Sequence, residues 1–554
     1  MSKIEEFRSF MNEIGVDAFM FNTKNEHLSE YSEDLKQLCG FTGTSGLLII
    51  TKQGKCPFFT DGRYITQARS QLDHKRLEVY NIQEKGPYDW VKENLTPATT
   101  LSYYSCYFTL EDIRKYENIC KLVPHSDKRK SFHLKQKIVL HPIEYSGESS
   151  QSKRERIAKT INNSEAILLT NVNSISWLLN IRNENAKYTP HVLCRAILYK
   201  NGNVDLFIQG DKLELELDNH INVFNTSELE SALHKLNSIV IDSNSIPMSI
   251  TSLLKDKQTI EREDPCLLSK AIKNQTEIAG TINAHVRDGV AVTNFLHWLE
   301  DNAGGQVTEL DAEKKILEYR KKCNLFKQLS FPTISAFNEN AAIIHYRANP
   351  STNKTIKKDG LYLIDSGGQY LDGTTDVTRT VSIGTPTKEQ VTHYTIVLKA
   401  HIAIARAVFP PGTTGGELDI LARTHLWKFG MDYMHGTGHG VGSYLSVHEG
   451  PHAISRRNKV ELVSGMIVSN EPGYYIPNKY GIRIENLMYV NKQENGFLSF
   501  TQLTCVPYDK RLINTKMLTN DEIEWINNYH QFVFKNLQDE IKDKERLELC
   551  KNLE

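Results

Sequence analysis

Four carboxylates and one imidazole stand out in the second half of the sequence, because each ends an apolar run or lies in a glycine-rich turn. They are Asp365, Asp376, His439, Glu471 and Glu485. Hard oxygen ligands with one nitrogen suit divalent cations, and a pair of such cations activates water near neutral pH. The residue types and their spacing therefore indicate metal-assisted hydrolysis.

The two aspartates are predicted to lie on neighbouring strands. Leu361 to Asp365 has the pattern of a buried strand, the glycines that follow can turn the chain, and Thr374 to Ile383 alternates between two faces. Such a hairpin would bring Asp365 and Asp376 onto one face, where two carboxylates repel each other unless a cation or a proton lies between them. A pair of turn-forming aspartates is the alternative interpretation.

The segment His435-Gly-Thr-Gly-His439-Gly has the histidine spacing of the HExxH helix of zinc proteases but not its chemistry. No glutamate follows the first histidine, and the glycines disfavour a helix. The segment is predicted to be a loop that lets backbone and imidazole approach a ligand closely.

Glu471 and Glu485 each end a short β-type run. A carboxylate that faces a core there is unfavourable unless it is paired or bound to a metal. Arg483 lies two residues from Glu485 and would share its face on a strand. A buried Arg483–Glu485 ion pair is therefore the alternative to a metal ligand.

Three regions are predicted to position these residues. Residues 1–140 and 141–268 share the order helix, strand, helix, strand, glycine turn and strand, which indicates two α/β domains of similar plan. Residues 269–554 open on a helical run from Ala271 to Glu300 and continue through a β-rich, glycine-rich section that carries the motifs. They close on a helix that Thr519 and Glu522 can cap. The predicted fold class is α/β followed by α+β.

The composition gives no indication of a nucleic-acid or membrane partner. A formal net charge of -1 gives no electrostatic argument for nucleic acid or an anionic membrane. No apolar run approaches the roughly 18–20 residues needed to span a bilayer, and the N-terminus lacks an apolar signal core. The nine cysteines are scattered and form no CxxC pair, as expected of reduced thiols. We expect a cytoplasmic protein that binds neither nucleic acid nor membrane.

The order and spacing of the five candidate ligands resemble those of the dinuclear metallopeptidases with the pita-bread fold. The whole chain further resembles the cytosolic, three-domain aminopeptidase P family, the Xaa-Pro aminopeptidases. None of the five positions departs from the family pattern. The resemblance is carried by Phe59-Thr-Asp-Gly-Arg-Tyr, Ile343-Ile-His-Tyr, Asp372-Gly-Thr-Thr-Asp-Val-Thr-Arg-Thr, His435-Gly-Thr-Gly-His-Gly-Val-Gly-Ser, Val447-His-Glu-Gly-Pro and Glu471-Pro-Gly-Tyr-Tyr.

The resemblance implies two creatinase-like α/β domains followed by a pita-bread catalytic domain built from two similar halves. It also implies a homodimer and two divalent metal ions per subunit. Asp365 would bind one ion, His439 and Glu471 the other, and Asp376 and Glu485 would bridge them. Four carboxylates and one imidazole favour Mn²⁺ by ligand hardness, although Zn²⁺ or Co²⁺ suits the same ligands.

The resemblance also assigns roles in a reaction that releases the N-terminal residue from peptides with proline in second position. The nucleophile would be a water or hydroxide that bridges the ions, with Glu471 as its proton acceptor. His345 and His448 would steady the scissile carbonyl and help to move a proton to the leaving nitrogen. His435, Tyr475 and Arg483 would line the proline pocket together with these two histidines.

Two other functions stay open at this point. Prolidases cleave X-Pro dipeptides with the same catalytic fold and metal ions, but they typically have one N-terminal domain where this chain has two. Non-enzymatic binding proteins and creatinase-type enzymes share the fold without the metal ligands. The presence of all five candidate ligands and of His345 argues against both of those.

Overall fold

The structure of the protein is a computed structural model that describes residues 2–28, 34–126, 135–162, 164–209, 217–541, 543–548 and 551–553. The chain divides into two compact units. The first unit comprises Met1–Leu140, Glu148–Asn183 and His191–Cys266, and the second comprises His141–Gly147, Glu184–Pro190 and Leu267–Glu554. Within the described ranges, no helix has both the length and the apolarity needed to cross a bilayer.

The first unit begins with a sheet of six strands and the helices that cover it. The strands are β1 (Ala18–Asn22), β2 (Leu47–Thr51), β3 (Cys56–Thr60), β4 (Leu77–Asn81), β5 (Thr100–Tyr104) and β6 (Lys121–His125). The helices are α1 (Lys3–Glu13), α2 (Asp34–Cys39), α3 (Ile65–Gln71), α4 (Pro87–Asn94) and α5 (Leu110–Arg114). The spatial order is β4-β3-β2-β1-β5-β6, in which β2 is antiparallel to both neighbours and the other pairs are parallel.

Alternate residues of β1 enter two different cores, as a strand between two helical layers requires. Phe19 and Phe21 pack in one apolar cluster, and Ala18 and Met20 pack in another. The sheet is therefore covered on both faces, which is the layered α/β arrangement predicted from the sequence.

A second sheet repeats this plan. The next strands are β7 (Ile138–Leu140), β8 (Ala166–Leu169), β9 (Ile181–Asn183), β10 (Cys194–Tyr199), β11 (Val204–Ile208), β12 (Ile221–Asn225), β13 (Ser238–Ile241) and β14 (Gln258–Glu261). The accompanying helices are α7 (Ser150–Ala158), α8 (Val172–Leu178), α9 (Leu229–His234) and α10 (Met248–Thr251), with 3₁₀ turns at Thr226–Glu228 and Ser252–Leu254. The short helix α6 (Ile143–Ser146) and nearly all of α11 (Cys266–Ala271) belong to the second unit. Strands β7 and β9 pair separately.

The strand order β12-β11-β10-β8-β13-β14 reproduces that of the first sheet, with an antiparallel strand β10 in the place of β2 and parallel pairs elsewhere. This agreement confirms the predicted pair of α/β domains of similar plan.

The second unit combines long helices with antiparallel sheets. Its helices are α12 (Gln275–Asn302), α13 (Glu309–Arg320), α14 (Lys388–Ala405), α15 (Gly415–Trp427), α16 (Asn520–Leu537) and α17 (Lys544–Glu548), with 3₁₀ turns at Asn338–Ala342, Lys510–Leu512 and Thr515–Met517. Its strands are β15 (Phe326–Leu329), β16 (Ile334–Phe337), β17 (Gly360–Ser366), β18 (Gly368–Tyr370), β19 (Gly373–Thr374), β20 (Val377–Ile383), β21 (Val408–Phe409), β22 (Gly438–Gly440), β23 (Glu449–Ile454), β24 (Ile467–Asn470), β25 (Gly473–Ile476), β26 (Tyr480–Arg483), β27 (Asn486–Lys492) and β28 (Leu498–Gln502).

Two sheets of this unit carry the candidate ligands. One has the order β16-β17-β20 and the other has the order β21-β28-β27-β24-β22-β23. Helices α12 and α13 precede the first sheet along the chain, and helices α14 and α15 precede every strand of the second sheet except β21. The unit thus has two halves of similar plan, as the resemblance implies.

The helical run predicted from Ala271 to Glu300 is interrupted, which corrects the prediction. Helix α11 ends at Ala271, and α12 begins at Gln275 with Asn274 as its N-cap. Asn274 and Glu277 form a capping box that starts a new helix at this point. At the other end of the unit, the predicted capping box of Thr519 and Glu522 is confirmed at the start of α16.

Candidate metal centre

Asp365 and Asp376 lie at one end of the pair β17–β20. Asp365 is the penultimate residue of β17 and pairs with Thr378, while Asp376 immediately precedes β20. Asp376 is two residues from Thr378, so both carboxylates are on the same face of the sheet. The predicted hairpin arrangement is therefore confirmed, although the turn between the strands contains the short strands β18 and β19.

Glu471 and Glu485 flank a second strand pair. Strands β24 and β27 are antiparallel with Asn470 opposite Asn486. Glu471 directly follows β24, and Glu485 directly precedes β27. The two glutamates are therefore brought to the same end of the sheet, as expected for acids that end β-type runs.

His439 lies in strand β22, between β23 and β24, so the predicted loop is wrong at this position. The glycines serve close approach, as predicted, but the partner is the neighbouring backbone. A Cβ atom on Gly438 would lie 1.8 Å from the carbonyl oxygen of Ser469, and one on Gly440 would lie 2.3 Å from that of Glu449. Only glycine at these two positions lets three strands meet around the imidazole.

These elements gather three candidate ligands into one cluster. The ligand atoms of Asp376, His439 and Glu485 lie within 4.8 Å of one another. His439 Nε2 is 3.6 Å from Asp376 Oδ2 and 3.6 Å from Glu471 Oε1. The fifth residue, Asp365, is linked to this group through Arg483, whose Nη2 donates to Asp365 Oδ2 at 2.6 Å.

The electrostatics of the cluster fit a bound cation. Burial and the neighbouring carboxylates raise the pKa of Asp376 and of Glu485 well above the usual values, and burial raises the pKa of Glu471. Among the described residues, Asp365 Oδ1 and Asp376 Oδ1 are buried acceptors without a hydrogen-bond donor. Buried oxygens that repel one another and lack donors are suited to divalent metal ions.

Arg483 has a different partner from the one considered above. It pairs with Asp365 rather than with Glu485 within the described part of the chain. Its Nη1 donates to the hydroxyl of Tyr475 at 2.9 Å, and that hydroxyl lies 2.8 Å from His435 Nε2. Three of the five predicted substrate-binding residues, Arg483, Tyr475 and His435, are thus connected in one chain that starts at a candidate ligand.

Two hydroxyls outside the predicted set of site residues, those of Thr378 and Ser469, donate to candidate ligands. Thr378 Oγ1 donates to Glu485 Oε2 at 2.7 Å, and Ser469 Oγ donates to Glu471 Oε1 at 3.3 Å. Ser469 Oγ also accepts from the backbone N–H of His439 at 2.9 Å. Each hydroxyl lies two residues from a ligand on a strand, which is the signal that would have placed it on the same face.

The two predicted proton-transfer histidines lie beside this group. The rings of His448 and His439 are perpendicular, with centroids 4.5 Å apart, and His448 is exposed. His345 is half-buried, and the carbonyl of the preceding residue, Ile344, accepts from Arg483 Nη1 at 3.5 Å. All the predicted site residues are thus connected to the carboxylate cluster by contacts of side chain or adjacent backbone.

Known protein families match the chain in consecutive segments. Residues 3–130 and 129–277 match descriptions of the creatinase/prolidase N-terminal domain. Residues 279–492 match metallopeptidase family M24, and residues 496–552 match the C-terminal region of that family. The chain therefore belongs to metallopeptidase family M24, with creatinase-type N-terminal domains before a pita-bread metallopeptidase domain.

Relatives of similar length are Xaa-Pro aminopeptidases. The probable Xaa-Pro aminopeptidase P of Laccaria bicolor is 37% identical, with 95% of this chain and 89% of the relative covered. Xaa-Pro aminopeptidase 1 of Dictyostelium discoideum is 37% identical, with 96% and 92% covered.

Solved structures agree with this relationship. The X-prolyl aminopeptidase of Caenorhabditis elegans, described as a cytosolic enzyme with a dinuclear active site, matches with a TM-score of 0.93 at 30% identity and covers 99% of each chain. The prolidase of Pyrococcus horikoshii matches with a TM-score of 0.55 at 26% identity and covers 64% of this chain. Of these two structures, only the aminopeptidase is similar over the whole chain.

Proposed function

We propose that this chain is a metal-dependent Xaa-Pro aminopeptidase, a hydrolase that releases the N-terminal residue from peptides with proline in second position. The observation that carries the proposal is the cluster of Asp376, His439 and Glu485, whose ligand atoms converge within 4.8 Å. It occurs in a chain that is similar over its whole length to proteins with that activity in their names.

The proposed cofactor is a pair of divalent metal ions. Asp365 would bind one ion, His439 and Glu471 the other, and Asp376 and Glu485 would bridge the two. The oxygen-rich ligand set favours Mn²⁺, with Zn²⁺ and Co²⁺ as the alternatives. When bound, such ions lower the pKa of water so that it attacks near neutral pH, and they stabilise negative charge on the substrate oxygen.

Glu471 is proposed to accept the proton of the attacking water. Its Oε1 lies 3.6 Å from His439 Nε2 and accepts from Ser469 Oγ, while its Oε2 lies 3.9 Å from His435 Nδ1. The carboxylate is thus held between two imidazoles and a hydroxyl. A base held in one orientation takes up a proton with little reorganisation.

His345 and His448 are proposed to act on the substrate carbonyl and on the leaving nitrogen. The imino nitrogen of proline leaves as an amine only when it is protonated, so a donor must lie near it. His448 is exposed beside His439, and His345 follows a residue held by Arg483. Both positions are suited to a donor facing bound peptide.

His435, Tyr475 and Arg483 are proposed to shape the pocket for the proline ring. An X-Pro amide has no N–H for an ordinary peptidase backbone to bind, so recognition must come from the shape of the ring site. The hydrogen bonds from Arg483 to Tyr475 and between Tyr475 and His435 fix the three side chains relative to one another. A fixed wall of this kind selects the ring without requiring an amide donor.

Three further features belong to the proposal. We propose domains at residues 1–140, 141–268 and 269–554, supported by family matches that end near these boundaries. The description of the nematode relative as cytosolic supports a cytoplasmic location.

A homodimer is supported by apolar side chains that the second unit exposes, Ile420, Leu421, Trp427, Phe429 and Met434. Light scattering should then give twice the chain mass of 63.3 kDa, whereas the mass of one chain would contradict the dimer.

Prolidase is the second candidate, because a prolidase structure matches at 26% identity. That match covers 64% of this chain, whereas the aminopeptidase match covers 99%. The additional N-terminal domain therefore favours the aminopeptidase.

The decisive experiment is hydrolysis of Arg-Pro-Pro beside Arg-Pro by chelated protein restored with Mn²⁺, Zn²⁺ or Co²⁺ in turn. We expect cleavage of the tripeptide, sparing of the dipeptide and the highest rate with Mn²⁺. Preference for the dipeptide would identify a prolidase. No turnover of either peptide under any metal would identify a binding protein.

A matched pair of histidine variants controls for loss of folding. His439→Gln should abolish turnover and reduce bound metal. His393→Gln should retain both, because this partly buried histidine bonds to Tyr480, at 2.9 Å, and lies outside the carboxylate cluster. Equal losses in the two variants would contradict the assignment of His439 as a ligand.

A further inference from the structure

Glu309, the first residue of α13, is a fully buried carboxylate outside the metal centre. Its Oε1 accepts from the backbone N–H of Phe337 at 2.7 Å and from Asn340 Nδ2 at 2.9 Å. Its Oε2 accepts from the hydroxyl of Tyr346 and from the backbone N–H of Lys354, both at 2.9 Å. Every contact is a donor to the carboxylate, so its two oxygens act as one acceptor for four separate groups.

The location of Glu309 favours this role. It lies in the first turn of a helix, where the exposed N–H groups and the helix dipole stabilise negative charge. Burial raises the pKa of Glu309, and the bonds from Phe337, Asn340, Lys354 and Tyr346 oppose that rise. Displacing a buried carboxylate with this many donors costs free energy, because each lost hydrogen bond leaves another buried polar group unsatisfied.

The donors enclose the segment that carries His345. Asn340 and Tyr346 stand at the two ends of this segment, and both bond to Glu309. Inside it, the N–H of Ile343 donates to the carbonyl of Asn340 at 3.1 Å, and the N–H of Tyr346 donates to the carbonyl of Ile343 at 2.9 Å. The backbone from residue 340 to residue 346 is thus folded into consecutive turns that the carboxylate ties together.

The residues immediately before and after His345 both form hydrogen bonds, each to a different part of the second unit. The preceding carbonyl, of Ile344, accepts from Arg483, which also binds Asp365 in the metal centre. The following side chain, Tyr346, bonds to Glu309. The residue before His345 is therefore bonded to a side chain of the candidate metal centre, and the residue after it is bonded to the buried N-terminus of α13.

We propose that Glu309, acting through Tyr346 and Asn340, positions His345 for its contact with the substrate. The proposal rests on the proposed function, because His345 is a catalytic residue only in that reaction. Glu309 itself touches no substrate and is a positioning residue. Removing the link should leave the metal centre intact but displace the imidazole, and small displacements of a catalytic group lower rates about 100-fold.

The test is a double-mutant cycle on Arg-Pro-Pro hydrolysis with Tyr346→Phe and His345→Gln. Tyr346→Phe removes only the hydroxyl and avoids the loss of fold that Glu309→Gln risks by turning an amide donor toward other donors. We expect Tyr346→Phe to lower kcat about 10–100-fold in the parent protein and less than about 2-fold when His345 is already replaced. Bound metal should be unchanged.

Tyr362→Phe is the matched control. Tyr362 is a fully buried tyrosine whose hydroxyl bonds to Ser335 at 2.7 Å, near the same helix terminus. The Tyr362→Phe substitution should lower the melting temperature about as much as Tyr346→Phe does, while kcat stays near that of the parent protein.

The outcomes separate the two proposals. Absence of turnover by the parent protein with every metal overturns the proposed function. Turnover by the parent with an unchanged kcat in Tyr346→Phe overturns the positioning role alone. An equal decrease in kcat with and without His345 also overturns it, since a general structural effect would act in both backgrounds.

Discussion

At the scale of single residues, carboxylates of the candidate metal centre accept hydrogen bonds from hydroxyls that are not themselves candidate ligands. Thr378 Oγ1 donates to Glu485 and accepts from Arg483 Nε at 3.2 Å, so it orients a candidate ligand and a candidate substrate-binding residue together. Ser469 does the same for Glu471 and the backbone of His439. Such partners fix the direction in which a ligand presents its lone pairs.

Thr378→Val should therefore weaken the centre without changing its ligands. Valine has the shape of threonine but cannot donate to Glu485, and loss of a partner of this kind lowers metal affinity or activity about 10–100-fold. Calorimetric titration of the chelated protein with Mn²⁺ would measure the affinity, and Arg-Pro-Pro hydrolysis the activity.

Thr293→Val provides the comparison for this prediction. Thr293 is fully buried in α12, and among the described residues its hydroxyl has no hydrogen-bond partner. Its replacement should leave metal affinity unchanged. Parent-like affinity and rate in Thr378→Val would show that Glu485 is oriented by other contacts.

At the scale of elements, a buried cluster of three charges connects α11 and the turn before α12 to β23. Glu449 bonds to Lys273 and lies 3.3 Å from Lys270 Nζ, and all three side chains are almost fully buried. Lys273 also donates to the carbonyl of Lys270 at 2.9 Å. The break between α11 and α12 falls at this cluster. Glu449 directly follows His448, so the cluster also anchors the segment that carries this histidine.

Glu449→Gln should destabilise the protein strongly, because it leaves two lysine charges buried without a carboxylate. Breaking a buried ion pair by removing one partner costs about 3–5 kcal/mol. Urea unfolding at pH 7 would measure the loss. Asp73→Asn, which removes a partner from an exposed pair with Arg76, should have little effect by comparison.

The same cluster should make stability depend on pH in one direction. Burial alone would raise the pKa of Glu449, but Lys270 and Lys273 outweigh it and lower the pKa. Because the pKa of Glu449 is lower in the folded state than in the unfolded chain, where it is about 4.3, the carboxylate stabilises the fold at pH values above about 4.3. This stabilisation is lost as the pH falls through the folded-state pKa. The difference in the free energy of unfolding between the parent protein and Glu449→Gln should be constant near neutral pH and shrink in acid. A difference that grows in acid would contradict the assignment.

At the scale of the whole molecule, every candidate ligand belongs to the second unit. Metal binding should therefore stabilise that unit directly. A ligand present at 100 times its dissociation constant contributes about 2.7 kcal/mol. None of the five candidate ligands lies in the described sheets of the first unit.

Chelation should consequently increase amide hydrogen exchange in β17, β20, β22, β24 and β27, by up to about 100-fold where exchange requires opening of the metal centre. Mass spectrometry of proteolytic peptides would measure it, with β1 to β6 as the internal control. Equal acceleration in both units would mean that they open together. No change in either would mean that metal does not stabilise the fold.

Much of the centre was predictable because its chemistry is carried by short segments. Asp365 and Asp376 follow an alternating pattern that brings them to one face, and the structure has this arrangement. The acids that end β-type runs are gathered where β24 and β27 meet. The repeated order of helices and strands likewise predicted the two α/β domains, because side-chain periodicity and glycine turns are properties of local sequence.

The remaining features depend on partners that are distant in the chain. Arg483 pairs with Asp365, 118 residues away, rather than with the nearby Glu485. Lys273 pairs with Glu449, 176 residues away, where periodicity alone predicts an unbroken helix. The segment around His439 is a strand only because β23 and β24 lie on either side of it. The sequence by itself thus determined which residues are available for metal and proton chemistry, whereas the tertiary structure decided which of them meet, because buried charges and strand edges select partners by proximity in the fold.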